Sequence, residues 1–235
     1  MADIMKAAVF AKPGTIKVKD MPVPQIAAHE ALIKVKNTGI CGTDWSIYNG
    51  WYSADKLQMI PGHEFSGVID RIGENSRGLK VGDRVTADIN MSCGTCYYCV
   101  RGQQLLCDSF TQLGIHTDGT FAEYVKAPIR NLHKLPDTLS FEEGAFIEPL
   151  SCVIHAAKAM DAHLGSSVAI IGCGLGVLHA RLAKLKACAP VIVFGDNRKR
   201  LQLAKDMGAD YAIHIDDVAD PVEEVDLRGE PVVPR

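Results

Sequence analysis

The sequence predicts an α/β protein made of two parts, a module of short strands followed by alternating strands and helices. Two observations carry this prediction. Before about residue 135, short apolar segments are separated by Gly, Pro, Asn and Asp, which is typical of a β-barrel or a sandwich. From Ser167 onward, apolar strands alternate with helical segments, which favours parallel βαβ units.

The predicted strands of the first module are short and bounded by turn residues. A helical segment follows them, because Ser140 and Glu143 have the spacing of a capping box at the start of a helix. A second helix is expected over 150–160, directly after Pro149. The strands are predicted at 6–10, 16–19, 31–38, 65–72, 84–87 and 121–126.

The second module opens with a buried-type strand that ends in a glycine-rich turn. The helix that follows, over 177–187, is predicted to present Leu178, Leu182 and Leu185 on one face. Gly208 is expected to end the next helix as a C-cap. The remaining predicted elements are strands at 168–171, 191–194 and 211–214 and a helix at 198–207.

Composition excludes several classes of protein. The chain has 235 residues, 47% of them hydrophobic and 23% charged, so it can bury a core without disulfides. Its formal net charge of −3 gives no reason to expect a nucleic-acid or anionic-membrane partner. The longest apolar run, 168–178, is too short to span a bilayer, and the segment 1–10 lacks the features of a secretory signal. We therefore expect a cytoplasmic protein.

Four of the eight cysteines lie close together in the sequence. In a reducing compartment, clustered cysteines indicate metal binding more than disulfides. Four thiolates at the spacing C-x2-C-x2-C-x7-C can close a tetrahedral shell around Zn²⁺ with no open position, which predicts a structural role. An iron–sulfur cluster also takes four cysteines, and unligated buried thiols are the remaining alternative. The four are Cys93, Cys96, Cys99 and Cys107.

A second group of metal-ligand residues is spread along the chain. Cys41, His63 and a carboxylate, either Glu64 or Glu148, would form a three-ligand zinc site whose fourth position stays open for water or substrate. Taken singly, each residue is weak evidence: a lone cysteine is usually core, and Glu148 could simply cap the helix after Pro149.

The glycine-rich turn after the strand at 168–171 could bind a nucleotide. Gly172, Gly174 and Gly176 lie between a strand and a helix, where backbone N–H groups can approach a pyrophosphate. The fingerprint G-x-G-x-x-G requires a third glycine at 177, but that residue is valine, and the glycine comes one position early.

These motifs resemble, in sequence and in order, those of the zinc-containing medium-chain alcohol dehydrogenases. The segment 62–73 looks like that family's Gly-His-Glu-x2-Gly-x5-Gly signature, and the four-cysteine segment lies where the family carries its structural zinc. The sequences Gly-Ile-Cys-Gly-Thr-Asp at 39–44 and Glu-Pro-Leu-Ser-Cys at 148–152 resemble the polyol (sorbitol-type) and threonine dehydrogenase branch. The resemblance extends from about residue 6 to about residue 215.

The resemblance implies a GroES-like β-barrel catalytic domain followed by a partial Rossmann-type parallel α/β domain. We expect the first domain over 1–155, with its zinc lobe at about 90–110, and the second over 156–217. Residues 218–235 are acidic and then proline-spaced, and are predicted to be a poorly ordered tail.

The resemblance also implies roles for residues around the first glycine motif. Cys41 and His63 would be zinc ligands, with Glu64 or Glu148 as the third, and the two carboxylates could exchange during turnover. Thr43 matches the hydroxyl that relays the substrate proton. Asp44 would orient a ligand.

The implied reaction is hydride transfer from a secondary alcohol of a polyol or related small substrate to a nicotinamide cofactor. Two zinc ions are expected, one catalytic and one structural, in a homo-oligomer (dimer or tetramer). The residue that binds the cofactor ribose is an acid in this family. Its position here is either 195, which is a glycine, or 196, which is Asp196. An acid there favours NAD, which is the cofactor we expect, whereas Gly195 with Arg198 nearby could admit NADP.

A competing interpretation is a truncated, non-catalytic zinc-binding form. Only three strands of the nucleotide-binding sheet are predicted, whereas a doubly wound fold of this type has about six. A zinc-independent quinone reductase of the same superfamily is disfavoured by Cys41, His63 and the four clustered cysteines.

Overall fold

The computed structural model describes residues 3–52, 58–74 and 76–220. The chain divides into two compact units, Met1–Glu148 and Pro149–Arg235. The domain limit predicted at residue 155 lies inside a helix, Ile147–Ala159. The predicted tail lies, after Asp220, outside the described residues.

The first unit is built on a five-stranded antiparallel sheet with two smaller strand pairs. The sheet order is β8-β3-β4-β5-β9, while β1 pairs with β2 and β6 pairs with β7. Three short helices join the strands: α1 (Gly42–Tyr48), α2 (Tyr97–Val100) and α3 (Phe141–Ala145). In chain order the strands are β1 (Ile4–Lys12), β2 (Thr15–Pro22), β3 (Glu30–Thr38), β4 (Phe65–Ile72), β5 (Arg84–Ala87), β6 (Asn90–Met91), β7 (Thr111–Gln112), β8 (Tyr124–Pro128) and β9 (Leu132–Lys134).

The first part of strand β3 is buried on both faces. Ile33 points into a core that includes Phe65 and Ile69 of β4. Leu32, one residue earlier, points to the opposite face and packs in a cluster with Val9 of β1. Because side chains alternate along a strand, the sheet separates two cores, and the first part of β3 is held from both sides. The other end of β3, at Thr38, leads directly into the segment of Cys41.

An ion pair between β5 and β9 provides a measurable pH dependence. Asp83, next to β5, has a buried carboxylate that accepts a hydrogen bond from Lys134 Nζ at 2.6 Å and one from the Lys80 N–H at 3.0 Å. The bond from Lys134 holds the pKa of Asp83 below its usual range. The stabilisation is therefore complete above the pKa of an unfolded aspartate and is lost as the pH falls through the folded-state value.

We expect Lys134→Met to lower the free energy of unfolding at neutral pH by about 1 kcal/mol. The loss is moderate because the Lys134 side chain is half exposed, so water can partly replace it as a hydrogen-bond donor to Asp83. The decline of stability in acid should become shallower. Urea unfolding across the acid range measures both effects. Lys126→Met, which breaks a longer pair, at 3.3 Å, with the less buried carboxylate of Glu30, is the matched control. An equal effect of both changes would contradict the assignment to Asp83.

The second unit is a three-stranded parallel sheet flanked by helices. Strands β10 (Val168–Ile171), β11 (Val191–Gly195) and β12 (Tyr211–His214) lie in the order β10-β11-β12. Their register pairs Ile171 with Phe194 and Phe194 with Ile213. The helices are α4 (Ile147–Ala159), α5 (Gly176–Leu185) and α6 (Arg198–Asp206). Within the described residues, none of the helices combines the length and apolar character needed to cross a bilayer.

Two predictions of local structure were wrong in detail. Helix α4 begins at Ile147, before Pro149, because proline in a first helical turn costs no hydrogen bond. Glu148 therefore lies inside the first turn and does not precede it as a cap. The strand predicted over 121–126 lies at β8, from Tyr124 to Pro128.

The buried face of α5 also differs from the prediction. Its fully buried residues are small: Gly176, Val177, Ala180 and Ala183. Leu185, predicted on the buried face, is 65% exposed. Small side chains let the helix axis approach the sheet closely. The face that carries them is therefore buried in place of the face that carries the leucines.

Candidate metal and nucleotide sites

Asp44 joins the two segments that carry Cys41 and His63. Cys41 immediately precedes α1, and Asp44 lies in the helix's first turn. The carboxylate of Asp44 accepts hydrogen bonds from the Cys41 N–H at 2.8 Å and from the Gly62 N–H at 3.0 Å. A buried carboxylate with two backbone donors is a rigid link, so the positions of Cys41 and His63 are coupled.

The His63 side chain is buried, with 3% of its surface exposed. Its Nδ1 lies 3.7 Å from Asp44 Oδ1 and has no hydrogen-bond partner among the described residues. A buried polar atom without a partner is costly in a finished site. A metal ion on Nε2 would fix the ring with its Nδ1 proton towards Asp44, which is the usual arrangement of a ligating histidine.

Three donors of different chemistry meet at this point. The Cys41 sulfur, a His63 ring nitrogen and a Glu64 carboxylate oxygen all lie within 4.8 Å of one another. Thr43 Oγ1 accepts a hydrogen bond from Cys41 Sγ at 3.6 Å. Glu148 does not belong to this group of three, although its charge contributes to raising the pKa of His63. A sulfur, nitrogen and oxygen set is the ligand set of a zinc ion with one open position.

The electrostatics of these donors fit a cation. His63 lowers the pKa of the Cys41 thiol despite partial burial. Burial disfavours the His63 cation, but Cys41, Asp44 and Glu148 outweigh it and raise the pKa of His63. Burial raises the pKa of both Asp44 and Glu64. The site therefore gathers anionic groups at a cost in desolvation that a bound divalent ion would offset.

Glycines far apart in the sequence allow the backbone to close around His63. Gly62 has φ +93°, and a Cβ there would lie 2.4 Å from the Phe121 ring. A Cβ on Gly114 or on Gly119 would lie about 2 Å from the Gly62 carbonyl oxygen (2.0 and 2.1 Å). Sequence reasoning missed Gly114 and Gly119, because no local pattern reports a contact with residue 62.

Gly39 leaves room for the Glu64 carboxylate. A Cβ on Gly39 would lie 2.2 Å from Glu64 Oε2 and 3.1 Å from Glu64 Cβ, and the Gly39 N–H donates to the Glu64 carbonyl at 2.6 Å. Sequence reasoning placed Glu64 in the site but did not identify this requirement.

We expect Gly39→Ala to displace the Glu64 carboxylate and weaken zinc binding at this site by about 10- to 100-fold, the usual cost of disturbing a group that supports a ligand. Competition with a chromophoric chelator measures the affinity. Gly42→Ala is the matched control, since a Cβ there meets nothing within 4 Å. Equal zinc affinity in the two variants would contradict the role of Gly39.

The four clustered cysteines form a second donor group. The Sγ atoms of Cys93, Cys96, Cys99 and Cys107 all lie within 4.8 Å of one another. Backbone N–H groups donate to two of these sulfurs: Cys96 to Cys93 at 3.3 Å, and Cys93 to Cys107 at 3.2 Å. Helix α2 begins directly after Cys96, so the chain turns back and brings the cysteines together.

The neighbouring thiols of this group ionise with different ease. Hydrogen bonds from the Thr95 and Cys96 backbone lower the pKa of Cys93 to about 6. The Cys93 backbone N–H favours the Cys107 thiolate, but burial and the neighbouring sulfurs of Cys93 and Cys99 outweigh it and raise the pKa of Cys107 to about 11. Ionisation of the Cys93 thiol is favoured and that of the Cys107 thiol is opposed. This is expected of four clustered thiolate ligands when no divalent cation is bound to them.

The glycine-rich turn has the space that a phosphate group needs. Gly172 follows β10 with φ +101°, and a Cβ there would meet nothing within 4 Å. Helix α5 begins at Gly176, where a Cβ would lie 3.1 Å from Ile170. Gly176 thus provides the close helix–strand packing that the third glycine of the fingerprint normally provides, one position earlier. Asp196 is exposed, and its Oδ1 accepts a hydrogen bond from Cys173 Sγ at 3.7 Å.

Comparison with known proteins identifies relatives of this chain. The family profile of the alcohol dehydrogenase GroES-like domain matches residues 27–137. L-threonine 3-dehydrogenase of Bacillus velezensis is 39% identical over 89% of this chain and 61% of its own length. Sorbitol dehydrogenase of Halalkalibacterium halodurans is 40% identical over 95% and 64%, respectively.

A solved structure is also similar to this chain. A protein described as a short chain alcohol dehydrogenase (rspB) from Escherichia coli CFT073, in complex with NADH, has a TM-score of 0.88 at 33% identity, over 97% of this chain and 67% of that chain. The chain spans 61 and 64% of the two curated relatives named above. The predicted fold class is confirmed by the GroES-like match and by this structural similarity. The chain belongs to the zinc-containing medium-chain alcohol dehydrogenase family.

Proposed function

We propose that this chain belongs to an enzyme that oxidises a secondary alcohol of a small polyol or similar hydroxylated substrate, with a nicotinamide dinucleotide as hydride acceptor. The observation that carries the proposal is the convergence of Cys41, His63 and Glu64 within 4.8 Å. Three protein donors leave one position for a substrate oxygen, and a purely structural zinc would not require it. The names of the relatives, L-threonine 3-dehydrogenase and sorbitol dehydrogenase, support a small hydroxylated substrate.

The residues of this site would have different roles. Cys41, His63 and Glu64 would hold the catalytic zinc, and Glu148 is the carboxylate that could replace Glu64. Asp44 is a positioning residue that fixes both metal-binding segments through the Cys41 and Gly62 N–H groups. Thr43, whose hydroxyl lies 3.6 Å from the Cys41 sulfur, would relay the proton that the substrate hydroxyl loses, accepting it while passing its own hydroxyl proton on towards solvent. When bound, zinc supplies the Lewis acidity that lowers the pKa of that hydroxyl.

The second unit would bind the cofactor. The open space around Gly172 and Gly174 supports pyrophosphate binding at the start of α5, where backbone N–H groups and the helix dipole favour an anion. Asp196 lies at the same edge of the sheet and is a candidate for the ribose contact. The cofactor is NAD or NADP.

The four-cysteine group would hold a second zinc with a structural role. Cys93, Cys96, Cys99 and Cys107 fill all four positions of a tetrahedral ion. Thiols kept for metal binding favour a reducing compartment, which supports a cytoplasmic location. Assembly as a dimer or tetramer is proposed from the family resemblance.

Three measurements on the purified chain test the proposal. We expect two zinc ions per chain, saturable binding of a reduced dinucleotide, and dinucleotide reduction that depends on a polyol or threonine. Zinc without dinucleotide binding or turnover would favour the non-catalytic zinc-binding form. Iron with inorganic sulfide in the four-cysteine group would contradict the structural zinc.

A further inference from the structure

The end of β11 lacks room for a side chain at residue 195. A Cβ on Gly195 would lie 2.5 Å from Cys173 Sγ and 2.6 Å from Cys173 Cβ. Cys173 belongs to the glycine-rich turn and is itself buried. The turn is fixed to β11, because the Gly172 N–H donates to the Phe194 carbonyl at 2.8 Å. Cys173 therefore restricts residue 195 to glycine.

This restriction bears on nucleotide selection. In a βαβ nucleotide site, an acidic side chain at the end of the second strand bonds the ribose 2′-hydroxyl and repels a 2′-phosphate. Gly195 ends the second strand of this sheet, so Cys173 excludes an acid from that place. The next residue, Asp196, is engaged through Oδ1 by the Cys173 thiol and through its backbone carbonyl by His214 Nε2 at 3.0 Å.

A cation lies beside the same turn. The Arg200 guanidinium comes within 3.7 Å of the position of a Cβ on Gly174. Asn197 caps α6 by accepting from the Arg200 N–H at 3.1 Å, which holds Arg200 in the first helical turn. Arg198 is already paired with both oxygens of Asp217, at 2.9 and 2.8 Å. In the described part of the chain, Arg200 has no such ion pair.

We propose that Cys173 and Arg200 make this nucleotide site select a dinucleotide with a 2′-phosphate, of the NADP class. Cys173 excludes the acid that would repel the phosphate, and Arg200 supplies the charge that binds it. The inference rests on the proposed dinucleotide site in the second unit.

Calorimetric titration with two fragments tests it without turnover. We expect the zinc-loaded chain to bind adenosine 2′,5′-bisphosphate at least about tenfold tighter than 5′-AMP, as a charge-assisted contact would give. Arg200→Gln should remove that preference. Arg198→Gln is the matched control and should keep it. Equal binding of the two fragments by the wild type would overturn the inference while leaving the nucleotide site intact.

The exclusion of an acid by Cys173 is tested by placing an aspartate at residue 195. Gly195→Asp alone should lower the melting temperature and weaken both fragments, because the new side chain collides with Cys173. Cys173→Gly with Gly195→Asp should recover the melting temperature and prefer 5′-AMP. A stable Gly195→Asp protein that prefers 5′-AMP would overturn the role of Cys173. If Asp196 reads the ribose instead, Asp196→Asn will weaken 5′-AMP binding, and this result also overturns the inference. Failure of both fragments to bind would overturn the inference together with the cofactor part of the proposed function.

Discussion

Cys96→Ser is expected to remove one zinc per chain and to lower the free energy of unfolding by more than about 4 kcal/mol. Apparent binding free energies for structural zinc in small zinc-finger peptides are about 10–16 kcal/mol, and they contribute directly to folding. Serine leaves an incomplete shell of three sulfurs and exposes the repulsion among them. The segment from Cys93 to Cys107 contains only a four-residue helix and a short 3-10 turn, so little other structure can compensate.

Metal analysis and thermal unfolding measure this prediction. Val100→Ala changes an exposed side chain of the same lobe and should keep both zinc ions and the wild-type melting temperature. A strong chelator should bring the wild type close to the stability of Cys96→Ser. If Cys96→Ser melts like the wild type, the four cysteines do not hold a structural metal.

Cys41→Ser is expected to remove the other zinc and to reduce turnover by about a thousandfold or more, with little change in stability. Several kcal/mol of transition-state stabilisation depend on the Lewis acid. The fold should persist, because the link between this segment and the segment of His63 uses the Cys41 backbone N–H and the Asp44 carboxylate.

Thr43→Val separates loss of metal from loss of the proton path. Its hydroxyl lies beside the Cys41 sulfur, and a threonine hydroxyl is not a usual zinc ligand, so this variant should keep both zinc ions while turnover falls. Zinc content, circular dichroism and the rate of dinucleotide reduction distinguish the two variants. Full activity of Cys41→Ser would refute the ligand assignment.

Local patterns in the sequence were sufficient for most strands. Strands β4, β5, β10 and β12 have the predicted limits, because each is an apolar segment bounded by residues that break a strand. The capping box at Ser140 is also present: the Ser140 hydroxyl accepts from the Glu143 N–H at 3.1 Å, and the Glu143 carboxylate accepts from the Ser140 N–H at 2.7 Å. These features depend on neighbours within a few residues.

Features that depend on distant residues could not be predicted in this way. The fit of Gly39 against Glu64, and of Gly114 against Gly62, is a contact between backbones that no short motif encodes. The buried face of α5 was wrong because helical periodicity alone does not distinguish a stripe of small residues from a stripe of leucines. Spacing and the family resemblance both left the carboxylate undecided between Glu64 and Glu148, and only the folded chain places Glu64 with Cys41 and His63.

The two metal-binding groups have different consequences for the order of folding. Cys93 and Cys107 are close in the sequence, so this loop closes at a small cost in chain entropy and can bind zinc while the rest is unfolded. The group at Cys41 requires β3, β4 and the glycines at 114 and 119 to meet first. Contacts of high sequence separation form slowly. Rapid-mixing experiments with zinc should therefore resolve an early binding phase at the cysteine lobe and a late one that reports completion of the first unit.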